Sequence, residues 1–315
     1  MKKFLLGAAA ALVLVSSSYA GDKKIGVSMA KFDDNFLTVL RNGIVAQAKT
    51  LNVDVQVEDA GNDVAKQLDQ IKNFAANKVD AIIVNPVDTS ATQAMTDAAA
   101  AAKVPLVYVN RQPVNVDTLP SNQAFVASNE VDSGTLETKE ICKLLKNKGL
   151  KEASIYVLQG ELSNQAAVQR TADIHDVIGG PDCGVKINII AEQTANWSRE
   201  EGQNLMTNWL SSNKKFDAVI ANNDEMALGV IAALKAAGKK TADTPVGGID
   251  ATQDALAAMK AGDLAVTVFQ NAAGQGKGSL EAAIKLAKGE KVERKVYIPF
   301  ELVTPANVDN YLKKN

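Results

Sequence analysis

No feature of this chain constrains its fold more than a regular alternation of short β-rich runs with helical stretches, beginning at Lys24. Residues 25–29 (IGVSM) read as a strand. Residues 35–51 then place Phe36, Leu40, Ile44 and Ala48 at the spacing of one helix face. A strand at 53–57, a helix at 64–78, a strand at 81–84, a helix at 91–102 and a strand at 106–109 follow. The run 81–84 (AIIV) is apolar at every position, as a strand covered on both faces of a parallel sheet must be. The series is βαβ, which predicts a doubly wound parallel sheet of the α/β class.

The pattern then restarts. Residues 124–127 lead into a helix at 132–148, and strands at 154–158, 186–191, 218–221 and 246–249 alternate with helices at 166–177, 199–212 and 225–237. So many strands in one open sheet would be unusual, and 315 residues is a length for two domains. The chain is therefore expected to form two similar doubly wound lobes, breaking near 128–130. Later segments (254–261, 264–269, 274–288 and 296–300) continue the alternation without declaring their lobe. No low-complexity linker intervenes, which predicts a hinge of close crossings.

The first twenty residues read as a signal peptide: Lys2 and Lys3, an apolar stretch from Phe4 to Val15, and a small-x-small ending at Ala20. The apolar stretch is shorter than the ~20 residues that span a bilayer. An exported, soluble mature chain cleaved near Ala20 is expected, with a short buried helix as the alternative. The formal net charge of −2 gives no basis for a nucleic-acid partner. Cys142 and Cys183 form a disulfide or remain two buried thiols; an oxidising compartment favours the former. Two thiols and the single His175 supply no metal site.

Ligands of open α/β sheets bind beyond the carboxyl ends of the strands. Those ends carry Lys31–Phe36, Asn110 and Arg111, Glu161, Asn164 and Arg170, Trp197, Asn222 to Asp224, Asp250, and Gln270 with Asn271. Amide, carboxylate and guanidinium groups make pairs of hydrogen bonds in one plane, which suits adjacent hydroxyls of a sugar ring, and aromatic faces suit its C–H patches. Taken singly, Asp33, Asp34 or Asn35 serves as well to cap the first helix, and Asp224 the helix after Ala221. Catalysis finds little support. His175 stands alone within a helix, leaving only a carboxylate pair such as Asp34 with Asp250, as in a secreted glycoside hydrolase. Gly160 and Gly247-Gly248 form no nucleotide-binding motif, and 146–151 lacks the alternating ligands of a calcium loop. No cofactor is implied.

Six stretches together resemble the pentose/hexose periplasmic binding proteins of sugar ABC transporters: 31–36 (KFDDNF), 81–87 (AIIVNPV), 109–113 (VNRQP), 221–229 (ANNDEMALG), 248–251 (GIDA) and 267–270 (TVFQ). The likeness covers essentially the whole mature chain. It implies two lobes joined by three crossings, about 21–128 plus 271–301 and 129–270 plus 302–315, which close on a ligand. It implies ligand contacts at Asp34, Phe36, Asn110, Arg111, Arg170, Trp197, Asn223, Asp250 and Gln270, with Phe36 and Trp197 stacked on opposite ring faces. Galactose/glucose binders carry a His and an Asp where this chain has Asn164 and Ala166, and their calcium loop is missing here. The VNRQP stretch is similar to the myo-inositol/rhizopine-binding branch, which makes a cyclitol the expected ligand and galactose, glucose or ribose the alternatives. A membrane permease, with or without a chemoreceptor, is the implied partner. A sugar-responsive transcription regulator shares this architecture, but the signal peptide stands where its DNA-binding helices would be.

Overall fold

The computed structural model describes residues 23–314, so the expected signal peptide lies outside the described residues. The first sheet is built by β1 (Lys24–Met29), β2 (Asp54–Asp59), β3 (Ala81–Val84), β4 (Leu106–Val109), β5 (Gln123–Ala127) and β11 (Lys295–Tyr297), in the order β11-β5-β4-β3-β1-β2 with every pair parallel. Helices α1 (Asn35–Leu51), α2 (Val64–Ala76) and α3 (Thr92–Ala101) connect its strands, and α9 (Ala272–Ala287) returns to pack on it. Both faces are covered, which is why β3 is apolar and buried throughout.

The second sheet repeats the design. Its parallel order is β7 (Lys186–Thr194), β6 (Glu152–Gln159), β8 (Ala218–Ala221) and β9 (Val246–Gly247). It extends through isolated parallel bridges to β10 (Thr267–Phe269), which pairs antiparallel with β12 (Glu301–Val303). Helices α4 (Glu130–Asn147), α5 (Gln165–Gly179), α6 (Arg199–Ser211), α7 (Asp224–Ala236) and α8 (Gln253–Lys260) alternate with these strands. Numbered within its own sheet, each half shows the order 2-1-3-4-5, whose ligand crevice opens at the switch between the first and third strands. The chain passes between the sheets three times: from β5 to α4, from β10 to α9, and from β11 to β12.

Several local readings are corrected. Helices α4 and α7 begin one or two residues before the expected starts, at Glu130 and Asp224. Asp224 is not a cap: Asn223 caps α7 by accepting from the Met226 amide at 3.0 Å. Of the three candidates ahead of α1, Asp34 is the cap, its Oδ1 accepting from Leu37 N at 2.9 Å, an interaction worth about 1 kcal/mol. Strand β9 ends at Gly247, earlier than 249, because the backbone turns toward positive φ at Asp250 and Ala251. β12 was not foreseen; it pairs antiparallel with β10, Glu301 lying opposite Phe269. Cys142 of α4 is joined to Cys183 ahead of β7, with Cα atoms 5.0 Å apart. No helix among the described residues is long and apolar enough to cross a membrane.

Candidate functional site

The carboxyl ends of both sheets face one another across a cavity lined by Asp34, Phe36, Asn110, Arg111, Arg170, Trp197, Asn223, Asp250 and Gln270, together with Leu37, Glu130, Asn164, Ala166 and Glu225. All nine residues singled out by sequence converge on it. The space between the walls is about 460 Å³, part of it open to solvent.

On the first lobe, the side chains are set by backbone ends. Asp34 spends one carboxylate oxygen on capping α1. Asn110 follows β4 at φ +67°, the left-handed region that Asn tolerates better than most residues. Its amide accepts from Asn85 Nδ2 at 3.3 Å and donates to Gln275 Oε1 at 3.2 Å, and Gln275 in turn donates to Ser128 Oγ at 3.1 Å. The orientation of Asn110 is thereby tied to the first crossing. Arg111 is buried, and its Nη1 donates to the carbonyls of Pro86 and Val87 at 3.0 and 3.2 Å. Burial holds its pKa below the ordinary value against the opposing pull of Glu161 and Asp34.

On the second lobe, a buried ion pair forms the floor. Glu130 takes both Nε and Nη2 of Arg170, at 2.8 and 3.1 Å, and the third arm of Arg170 reaches the Asn222 carbonyl at 2.7 Å. Burial alone would lower the Arg170 pKa, but Glu130 outweighs it and the pKa is raised. Gln270 Nε2 meets Glu130 Oε1 at 3.4 Å, bringing the second crossing into the same network. Trp197 sits at φ +62° with the Arg170 guanidinium 5.5 Å from its ring centroid, a cation–π distance. Its indole lies against Gly160, where any Cβ would overlap Cη2, Cζ2 and Cε2.

Asp250 adopts φ +128°, a backbone that L-residues rarely hold and that costs of order 1–3 kcal/mol. Two bonds to the β10 end stabilise it: its N–H donates to Val268 O at 2.8 Å, and its carbonyl accepts from Gln270 N at 3.2 Å. Burial raises its pKa well above the usual carboxylate value; Arg170 pulls the other way, while Asp224, Asp34 and Glu130 add to the rise. Behind it, Asp224 accepts from Thr252 N at 2.8 Å and Thr267 Oγ1 at 2.7 Å, yet burial still pushes it up to about 6.

The lobes meet around the cavity. Thr89 N and Oγ1 both donate to Ser163 O, at 3.1 and 3.0 Å, and Gln165 N donates to Thr89 Oγ1 at 3.1 Å. Asn35 Nδ2 donates to Glu225 Oε1 at 2.8 Å. The structure is thus a closed arrangement. Sequence reading missed Glu130, Leu37 and Glu225. Glu130 was within reach, because it follows the end of β5, a strand end treated only as the lobe boundary. Glu161, counted among the strand-end candidates, does not line the cavity. Among the described residues, no group of three or more His, Cys, Asp and Glu is placed to hold a metal.

Residues 25–291 match the family described as periplasmic binding protein domain. The chain belongs to that family. It is 63% identical over 316 residues to a Rhizobium meliloti protein provisionally named for rhizopine binding, with both chains covered completely. A solved ABC transporter solute-binding protein from Bacillus halodurans, with bound myo-inositol, is 42% identical with a TM-score of 0.87, covering 95% of this chain and all of that one. The Caulobacter myo-inositol binding protein, bound to myo-inositol, is 27% identical with a TM-score of 0.81, covering 91% of this chain and 95% of that one. The family comprises solute-binding proteins rather than enzymes, so the reading of Asp34 and Asp250 as a hydrolytic pair is set aside. The Bacillus halodurans relative is the solute-binding component of an ABC transporter.

Proposed function

We propose that this protein captures a cyclitol with the ring and hydroxyl pattern of myo-inositol, held by the nine cavity residues named from the sequence, and delivers it to the permease. The observation that carries the reading is the convergence of those residues from two sheets on one closed cavity, with Phe36 and Trp197 beside planar hydrogen-bonding groups. A polyol needs donors and acceptors in fixed planes, and here Asp34, Asn110, Arg111, Arg170, Asn223 and Gln270 are each held by hydrogen bonds to neighbours. The similarity to two proteins solved with bound myo-inositol supports the same ligand class. Asn164 and Ala166 line the cavity where galactose/glucose binders carry His and Asp, which favours the cyclitol over those hexoses.

Residues 21–128 with 271–301, and 129–270 with 302–315, act as two bodies that rotate about the three crossings. Closure presents one surface spanning both lobes, which the permease, and a chemoreceptor where the cell has one, reads as a shape. The first twenty residues direct export and are removed by cleavage near Ala20. A thermal-shift screen of myo-inositol, ribose, galactose and glucose tests the ligand. At ~100 times its dissociation constant a ligand adds ~2.7 kcal/mol of stability. Stabilisation by galactose or ribose with none by myo-inositol would overturn the cyclitol reading.

A further inference from the structure

Glu161 was drawn from the sequence as a ligand-contact candidate, yet it faces the opposite lobe instead of the cavity. It stands on the loop after β6, and its two carboxylate oxygens point at two cations of the first lobe. Oε1 lies 3.6 Å from Lys31 Nζ and Oε2 3.5 Å from Arg111 Nη2. The Glu161 side chain is 11% exposed, Arg111 5% and Lys31 20%, so the group is largely screened from water. Oε2 is buried and receives no hydrogen bond, so its interaction is carried by charge. Arg111 is anchored within its own lobe by the Pro86 and Val87 carbonyls and presents its free edge to the seam. The same loop supplies Ser163, and Gln165 opens α5 directly after it; both bond Thr89 across the seam.

We propose that Glu161 is a positioning residue that sets the open–closed equilibrium: the 161–165 loop acts as a jaw, and the charge of Glu161 draws it onto Lys31 and Arg111 independently of ligand. In an open cleft the three charged groups are hydrated and apart. In the closed cleft Arg111 is buried with Glu161 and Asp34 as its counter-charges. Removing Glu161 leaves that guanidinium under-compensated only when the lobes are shut, so closure alone is penalised. Apparent affinity scales with the fraction of molecules that reach the closed form. Close charge pairs across an interface have effects on the order of tenfold or more, and a largely buried pair is only partly screened by salt.

The test has a ligand-free arm and a ligand arm, because the second rests on the cyclitol reading and the first does not. In a T89C/Q165C background, the rate of disulfide trapping across the seam without ligand reports visits to the closed form. E161Q is expected to slow trapping about tenfold, E161D to restore part of the rate, and 0.5 M salt to slow the parent more than E161Q. In the otherwise native chain, E161Q is expected to weaken myo-inositol binding by a similar factor in calorimetry, chiefly through faster release. Equal trapping rates with and without Glu161 would overturn the proposal, as would weaker binding without slower trapping, which would make Glu161 a ligand contact. Slower trapping in a protein that ignores myo-inositol would keep the jaw and discard the ligand.

Discussion

Replacing Gly160 with Ala displaces the Trp197 ring without substituting a cavity residue. Gly160 is not at positive φ, so the substitution strains no backbone, and its effect is steric. The new methyl would overlap three indole atoms. Gly160 cannot retreat, since its N–H donates to Asn222 Oδ1 at 3.1 Å and its carbonyl accepts from Thr194 Oγ1 at 2.7 Å. Carbon atoms rest about 3.5–4.0 Å apart, so the indole must shift by about 1 Å or more. Overpacking of this kind costs about 1–3 kcal/mol of stability, offset by about 0.4–1 kcal/mol from the stiffer unfolded chain. A ring face touching a ligand through roughly 15 atom pairs at about 0.15 kcal/mol supplies about 2 kcal/mol. A shift of that size forfeits about half, which is about 1 kcal/mol or roughly fivefold in Kd. Calorimetry with myo-inositol and urea unfolding on G160A, W197A and the double variant measure both quantities. The methyl has nothing to strike once the indole is gone, so G160A should be nearly silent in the W197A background. Full additivity of the two substitutions would refute the reasoning.

Three further outcomes are expected. Breaking the buried pair with E130Q leaves Arg170 without its bidentate carboxylate and should cost about 3–5 kcal/mol in urea unfolding, while E130Q/R170M recovers part of that stability but no ligand affinity. Removing the Cys142–Cys183 link, which spans 41 residues, should lower stability by up to about 4 kcal/mol by chain entropy and leave affinity within about twofold, read by unfolding and calorimetry on C142A/C183A. The buried Asp224 carboxyl, raised to about 6 in the folded chain, keeps its proton where the unfolded chain has lost it. Its stabilising contribution is therefore complete below about pH 4 and lost as pH rises through 6, a swing of about 3 kcal/mol. Urea midpoints for wild type should fall over that interval more steeply than for D224N, and equal slopes would contradict the assignment.

Much of this molecule is visible in the sequence because burial and periodicity write it there. The fully apolar β3 and β8 announce strands covered on both faces, and Phe36, Leu40 and Ile44 announce the buried face of α1. Strand ends place side chains at the crevice whatever the loops do, so the strand-end inventory contains the nine residues that the resemblance picks out, along with Lys31, Glu161, Asn222 and Asn271, which do not line the cavity. What escaped depends on three-dimensional pairing. β12 is three residues long and owes its existence to β10, a partner that no local pattern identifies. The choice between Asn223 and Asp224 as cap turned on which carbonyl-bearing side chain faces the helix end, and both residue types are good caps. Glu130 reads as an ordinary acidic residue in a helix's first turn, and only the fold reveals that it binds Arg170 from 40 positions away.

The division of labour between the lobes follows from where the fixed charges are compensated. Within the second lobe, Arg170 is held by the Glu130 carboxylate and the Asn222 carbonyl, and Gln270 meets Glu130, so these fixed charges are compensated inside one lobe. Within the first, Asn110 is held by Asn85 and Gln275, and Asp34 by the α1 amide, but Arg111 spends only one arm on its own carbonyls and turns another to Glu161 across the seam. In the proposed hinge the two walls act as templates, and the degree of freedom that remains is the angle between them. A ligand that bridges the walls need not organise either one; its hydroxyls act on the angle alone, and so does every charge that faces across the seam. Affinity in such a protein is accordingly adjustable from residues that never touch the ligand.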